Sequence, residues 1–516
     1  MDFASSYDYV VVGAGAAGCV VARRLLDRTD ASVLVLEAGG TDDRDSVHHT
    51  DIASMTSMWG DPTVTWPYET AAQPALNGRT VHLPQGRLVG GGTSVNAMMY
   101  VRGNRRDFDH WNFLGNEGWS YEDVLPYFRR SENYHGASSL YRGADGPLDV
   151  VPYPAPSEAS LAFLDAAREL GFDGGADWDY NGERQENAAF LYQSTRTPGD
   201  RRASTATAFL DPLRDDPRLT VHTGATATRV VLSGGVAVGV EYVAGDARHV
   251  VGATSEVVVC AGALASPKLL MLSGIGPAAE LARHGVDTVV DLPGVGRNLQ
   301  DHLLFGVAYQ SLRDLAFPQL LSEAGIFVHT REGLPAASPD LQYFFGPVQF
   351  VDDRYRVDGP GFTFAPILAR PHSRGTVSLR SADPLDLPVV DPGYLTAEAD
   401  VDVLVRGITL ARELVETSAF SALRGRELAP GGHLTDRKDL AGYVRESAST
   451  VWHPVGTCRM GADRDAVVDA RLRTVGVDRL RVADASVMPT ITAGNTNAAT
   501  IMIAEKAADL IVEAAG

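Results

Sequence analysis

A chain of 516 residues is longer than one small core can organise, so two or more domains are expected, and its 45% hydrophobic and 21% charged residues fit an ordinary globular protein. A net charge of −20 opposes any role on a phosphate backbone, so nucleic acid is excluded as a partner. Three cysteines, Cys19, Cys260 and Cys458, form no C-x-x-C pair, which argues against a disulfide framework or a bound metal and fits a reducing cytoplasm.

The first residues, MDFASSYDYVVVG, enter a strand at once, with no basic region followed by an apolar leader, and a cytoplasmic location is expected. No run of about 18 apolar residues exists to span a bilayer. Tyr9 to Val12 is a short apolar run, followed by GAGAAG and a helical pattern; a second apolar run, Val33 to Leu36, ends on Glu37. This is a βαβ unit. Gly13, Gly15 and Gly18 form G-x-G-x-x-G after a strand and at the start of a helix: the first permits the tight turn, the second lets a pyrophosphate approach, and the third allows close helix–strand packing. The helix N-terminus offers free N–H groups to phosphate, and Glu37 stands where a carboxylate can accept ribose hydroxyls. These residues indicate a dinucleotide without choosing between FAD and NAD.

Farther on, GRLVGGGTSVNAMMYVRGNRRD (Gly86 to Asp107) is poor helix and strand material, suited to a backbone pressed against a flat ligand. FLDAAREL (Phe163 to Leu170) reads as an amphipathic helix and TVSLRS (Thr376 to Ser381) as a strand. DWDYNG (Asp177 to Gly182) imitates the start of a calcium loop, but its twelfth position is Ala188 instead of a bidentate glutamate, so an Asx-rich turn is expected and no metal site. Buried-strand runs return at Glu256 to Gly262 and Arg479 to Ser486. The nucleotide-binding sheet therefore draws strands from distant parts of the chain. The fold class is α/β with an α+β second lobe: a Rossmann-type nucleotide-binding domain from segments 1–151, 206–306 and 453–516, and a substrate-binding domain from 152–205 and 307–452. G-x-S-x-G, H-E-x-x-H and Walker A sequences are absent, so hydrolase, zincin and P-loop chemistries lack their minimal residues.

TVWHPVGTCRMG (Thr450 to Gly461) holds His453 directly before a proline, which restricts its backbone to extended conformations. A positioned base and a satisfied buried histidine both fit that placement. In GNTNAATIMIAEKAADLI (Gly494 to Ile511), Asn495 or Asn497 can cap an Ala-rich helix.

The Gly86–Tyr100 segment resembles the first signature of the glucose-methanol-choline (GMC) flavin oxidoreductases, met from Gly86 through Asn96. GALASPKLLMLSGIG (Gly262 to Gly276) resembles the second, and NLQDH (Asn298 to His302) and the C-terminal segment are similar to the family as well. The resemblance implies FAD in an extended conformation. It places Gly13, Gly15 and Gly18 at the pyrophosphate, Glu37 at the adenosine ribose, and the Val230 backbone at adenine. Gly91, Gly92 and Asn96 fall beside the isoalloxazine, and Asp484 and Ala485 at the phosphate–ribityl region. It places the catalytic base at His453, the second active-site position at Asn497, and Trp452 in the substrate wall.

The implied reaction oxidises an alcohol to an aldehyde or ketone, with hydride passing to flavin N5 and oxygen or another acceptor reoxidising the flavin. A neutral, aromatic or apolar alcohol is the expected substrate. A choline or sugar dehydrogenase, a lyase or decarboxylase on the same scaffold, and a flavin-binding protein without turnover are the alternatives. Val95 occupies the position where some members carry the histidine that links to FAD, so non-covalent FAD is expected; His82, upstream, cannot be placed at the flavin edge.

Overall fold

The computed structural model describes Phe3, residues 5–331 and residues 337–515. Two sheets organise them. The first has seven strands in the spatial order Ala225–Ser233, Val236–Ala244, Ala247–Val259, Ser6–Val12, Val33–Leu36 and Leu219–His222, with Leu480–Val482 paired to the end of Ala247–Val259. Its centre is parallel: Ser6–Val12 lies between Ala247–Val259 and Val33–Leu36, with Val12 level with Val259 and Leu36. Val10, Val11, Val33, Val35, Val257, Val258 and Val259 are fully buried, which explains why these strands read as unbroken apolar runs without alternation. The sheet thus collects strands from the start, middle and end of the chain.

Helix Ala16–Arg28 follows the first strand and packs against the C-terminal helix Asn497–Ala515. Arg24 and Arg130 both reach buried Glu505 on that helix, at 2.8 and 2.7 Å. Removing one partner of such a buried pair costs about 3–5 kcal/mol, so the contact ties the last helix firmly to the first.

The second sheet has nine strands. Its main order is Arg424–Ala429, Val307–Ser311, Gly361–Leu368, Leu341–Gly346, Ala324–Val328, Ala188–Leu191 and Asp173–Gly174, antiparallel except for the last pair. Helix Glu398–Val415 lies on Gly361–Leu368, and helix Glu158–Glu169, the predicted amphipathic helix, lies against Ala188–Leu191. The predicted strand at Thr376 shortens to Thr376–Ser378 and joins neither sheet; it pairs only with Val389–Asp391.

Two short strands matter most for function. Leu303–Leu304 pairs with Gly361–Leu368 on one side and with Ser449–Thr450 on the other. His302 precedes the first of these strands and His453 follows the second, so this antiparallel pairing carries both histidines to one place.

Candidate active site

A cavity of ≈ 610 Å³ runs between the two sheets, within the range of small-molecule and cofactor sites. One end is lined by Gly13, Gly15, Glu37, Gly91, Gly92, Asn96, Gly262, Asp484 and Ala485. The other is walled by Met99, Leu304, Phe344, Ala365, Val451 and Trp452, with His453 and Asn495 between them.

The glycine end fits a dinucleotide. Gly13 adopts φ +100°, and a Cβ there would stand 2.6 Å from the Cys260 carbonyl oxygen. Gly91 adopts φ +52°, and its Cβ would meet the Gly15 Cα at 2.7 Å, so two glycine loops approach back to back in a cradle without side chains. Gly18 has a different task. Its Cβ would lie 1.9 Å from the Gly13 oxygen, and it does not line the cavity: it permits packing of the helix on the turn. Glu37 is buried and receives the N–H groups of Ala14 at 2.9 Å and Gly39 at 2.8 Å, one on each oxygen; burial raises its pKa to about 7. Asp484 receives the Gly262 N–H at 2.8 Å and the Ser266 hydroxyl at 2.6 Å, and so caps helix Gly262–Leu272 where that helix points at the cavity.

One expected position is corrected. Val230 lies away from the cavity and its N–H is donated to the Ser273 hydroxyl at 2.8 Å; the strand residues at the wall are Ala225, Thr226 and Ala227, earlier on the same strand where it enters the cavity. Asn497 lines the cavity as the first residue of the C-terminal helix, and Asn495, two residues earlier, lines it as well, with Nδ2 3.4 Å from His453 Nε2. The resemblance pointed to Asn497 and did not single out Asn495.

Asn96 is held by a residue that sequence reading missed. Arg202, 2% exposed, donates from Nη1 to the Asn96 carbonyl at 2.7 Å and to Asn96 Oδ1 at 3.0 Å, and from Nε to the Val47 carbonyl at 2.8 Å. Burial lowers its pKa to about 9.

His453 stands on a tightly specified backbone. Trp452 adopts φ +62°, an uncommon conformation for a bulky residue, held by a hydrogen bond from its N–H to Thr450 Oγ1 at 2.7 Å. Its ring packs on Trp59 with centroids 4.3 Å apart. The buried Asp301 carboxylate receives the His453 N–H at 2.8 Å and the His302 N–H at 2.9 Å. Beyond His453 lies His302, with the two Nδ1 atoms 3.0 Å apart and the rings nearly perpendicular at 87°. Burial, and then the His302 ring, push the His453 imidazole well below its ordinary range; burial brings His302 down to about 4. Both rings are therefore neutral near pH 7. A neutral imidazole fixed at the wall of an enclosed cavity can take a proton from a hydroxyl.

In the DWDYNG turn the Asp179 carboxylate is engaged by protein groups: its Oδ1 receives Arg142 Nη1 at 2.8 Å and Gln193 Nε2 at 2.9 Å.

With this geometry in hand, likeness to known proteins has a definite meaning. The GMC oxidoreductase N-terminal profile matches residues 7–304, and the GMC oxidoreductase C-terminal profile matches residues 371–504. The chain belongs to the GMC oxidoreductase family. Among its relatives, the mitochondrial choline dehydrogenase of Mus musculus is 39% identical over 98% of this chain and 89% of that protein. The oxygen-dependent choline dehydrogenase of Brucella anthropi is 38% identical over 98% of this chain and 95% of that one. Among solved structures, pyridoxine 4-oxidase from Mesorbium loti superposes with a TM-score of 0.91 at 33% identity, covering 97% of this chain and 98% of that one. This GMC oxidoreductase is thus an FAD enzyme with a Rossmann-type FAD domain and a substrate domain, acting in the family's alcohol-oxidation chemistry.

Proposed function

We propose that this GMC oxidoreductase oxidises a neutral alcohol with an apolar or aromatic body to the corresponding aldehyde or ketone, with His453 as general base and FAD held without a covalent bond. One observation carries the reading: His453 Nε2 and the Asn495 amide converge at 3.4 Å on the wall of a cavity whose one end is a glycine cradle and whose other is apolar. Bound FAD supplies the two-electron acceptor to which the alcohol's C–H hydride passes at N5.

The residues of the chain do the rest. His453, neutral and aimed into the cavity, accepts the hydroxyl proton at Nε2, which leaves the substrate oxygen with the charge that drives hydride departure. The Asn495 amide donates toward the same point and orients that oxygen; Asn497, one helical position into the wall, lines the space beside it. Met99, Leu304, Phe344, Ala365 and Val451 exclude water and favour an apolar substrate body, and Trp452 adds an aromatic face.

The relatives named as choline dehydrogenases support a second substrate, a quaternary amine. The carboxylates lining the cavity do not favour it. Glu37 and Asp484 are engaged by backbone N–H groups, and Glu446 and Asp352 both pair with Arg354. Aromatic rings besides Trp452 line the cavity, Trp59, Phe344 and Tyr443 among them, so the aromatic wall does not by itself decide between the two substrates.

The deciding experiment is anaerobic mixing of the holoenzyme with benzylic, aliphatic and quaternary-amine alcohols. Bleaching of the flavin by the neutral alcohols is expected, and its loss by at least ~10²-fold in His453→Ala with FAD content retained. Efficient bleaching by choline alone would establish the second reading. Carbonyl release without bleaching would mean lyase chemistry. Adding oxygen or a dye to the reduced enzyme then identifies the acceptor.

A further inference from the structure

The proton on His453 is placed by a row of hydrogen bonds that begins and ends on backbone carbonyls. At one end, the Tyr192 hydroxyl donates to the Tyr343 carbonyl at 2.8 Å. A carbonyl only accepts, so the Tyr192 proton is spent there, and its oxygen must accept from the Gln342 amide nitrogen at 2.9 Å. This fixes which way the Gln342 amide faces. The same nitrogen reaches Asn495 Oδ1 at 3.4 Å, so Asn495 presents its oxygen to Gln342 and its NH₂ to His453 Nε2, again at 3.4 Å. His453 Nε2 must therefore accept.

The other end gives the same answer independently. His302 Nε2 lies 3.1 Å from the Ala369 carbonyl, so that nitrogen carries hydrogen. His302 is fully buried, with its one neighbouring carboxylate, Asp301, engaged with backbone N–H groups and not with the ring. A neutral ring has a bare Nδ1, and the hydrogen shared between the two Nδ1 atoms at 3.0 Å then belongs to His453. The Thr492 carbonyl also acts on the His302 ring, but among the described residues the backbone carbonyl in hydrogen-bond geometry with a ring nitrogen is that of Ala369, on Nε2. With hydrogen on Nδ1, His453 has its lone pair on Nε2, the atom that faces the cavity.

We infer that His302 is a positioning residue that locks His453 in the Nδ1–H tautomer, acting with a second row through Asn495, Gln342 and Tyr192, so that the lone pair on Nε2 is presented to the substrate hydroxyl. Both rows end on one rigid element. Tyr343 lies on strand Leu341–Gly346, and Ala369 directly follows its antiparallel neighbour Gly361–Leu368. The substrate-domain sheet therefore sets the protonation pattern of a base carried by the segment that joins it to the FAD domain. Neutral imidazole in water populates both tautomers. Fixing one removes the fraction of the enzyme in which the base holds a proton where it needs a lone pair.

The inference rests on the reading of His453 as base, and the test separates the two. Holoenzyme labelled with ¹⁵N-histidine is examined by nitrogen–proton correlation spectra, with the His453 ring assigned by its loss in His453→Gln. The expected spectrum has a protonated Nδ1 and an unprotonated Nε2. His302→Leu removes the acceptor, and the His453 ring should then move toward Nε2–H or a mixture. Anaerobic reduction by alcohol should fall about 10²-fold, less than the ~10⁴ that a wrongly held tautomer costs a serine protease.

His302→Asn keeps an acceptor oxygen near the place of Nδ1. It should retain the tautomer and restore the rate to within about tenfold, which a purely structural role would not predict. Tyr192→Phe frees the Gln342 amide and should loosen the tautomer from the opposite side with FAD still bound. If His302→Leu fails to fold, the parental spectrum and the other two variants decide. A proton on Nε2 in the parental enzyme, or a His302→Leu variant with unchanged tautomer and rate, overturns the inference. A parental rate in His453→Ala overturns the base reading alone and leaves the tautomer result standing.

Discussion

Asp301 receives backbone N–H groups from His302 and His453 and hydroxyls from Thr450 and Tyr394, so one carboxylate fixes the two histidines through the main chain and leaves their rings free for each other. Burial raises its pKa to about 6 even with these donors. The side chains around it lead to two predictions. Asn495→Ala should slow alcohol-driven flavin reduction by roughly 10-fold or more, because it removes the amide aimed at His453 Nε2. Asn497→Ala should have a smaller effect on that rate, and stopped-flow reduction of the two variants compares them directly. An equal or larger loss in Asn497→Ala would return the orienting role to the later asparagine.

The second concerns pH. A depressed His453 pKa means that the base form survives as pH falls below the ordinary imidazole value, and protonation removes it only farther into acid. The acid limb of kcat/KM should therefore lie below about 6.5. A limb at or above that value would show an imidazolium stabilised by a partner, and the facing groups, His302 and the Asn495 amide, offer none.

At the level of elements, the three glycines of the first turn separate by function. Gly18→Ala puts a methyl group 1.9 Å from the Gly13 oxygen, which forces the helix off the turn; the protein without FAD should be destabilised by about 1–3 kcal/mol or more. Gly15 has φ −79°, and its Cβ meets nothing nearer than the Gly91 Cα at 3.9 Å, so Gly15→Ala fits the backbone but projects into the cradle. Its stability without FAD should change by less than about 1 kcal/mol, while FAD affinity falls. Thermal unfolding of both apoproteins and titration with FAD distinguish them; loss of both properties in Gly15→Ala would mean that the turn is strained in ways the geometry does not show.

This contrast also explains what sequence could reveal. The strand–turn–helix around Gly13 is local, and its chemistry is spelled out over consecutive residues. His302 meets His453 only through non-local pairing, Leu303–Leu304 against Ser449–Thr450, and no periodicity encodes that register. Val230 was misplaced because nothing in the strand sequence ATATRVVLS marks which of its residues enters a cavity.

The second sheet was the least legible part of the whole molecule. Its strands Ala324–Val328, Leu341–Gly346 and Gly361–Leu368 are buried along their entire length, so they show no alternation, and their partners are far away in sequence. The cavity between the sheets is lined by segments from residue 12 to residue 500, so FAD bound there would touch parts of the chain far apart in sequence. A ligand that binds only the assembled fold stabilises it by mass action, about 2.7 kcal/mol at 100 times Kd, so the unfolding temperature of the apoprotein should climb with added FAD.

The mode of attachment decides what happens when the fold is lost. Val95 is packed with Val47, Met58, Val64 and Leu88 and offers no nucleophile. The hydroxyls of Thr93 and Ser94 donate to the Gly90 and Val89 carbonyls. His82 is exposed, bonded to the Trp59 carbonyl at 3.3 Å, and does not line the cavity. Cys260 does reach the wall, but burial holds its thiol well above the usual range, so the nucleophilic thiolate is scarce. On the proposed non-covalent attachment, retention of FAD depends wholly on contacts that vanish on unfolding. Acid or heat denaturation followed by centrifugation should leave the yellow colour in the supernatant; colour that stays with the precipitate would reveal a covalent bond, and mapping the flavin-bearing peptide would show whether Cys260 forms it.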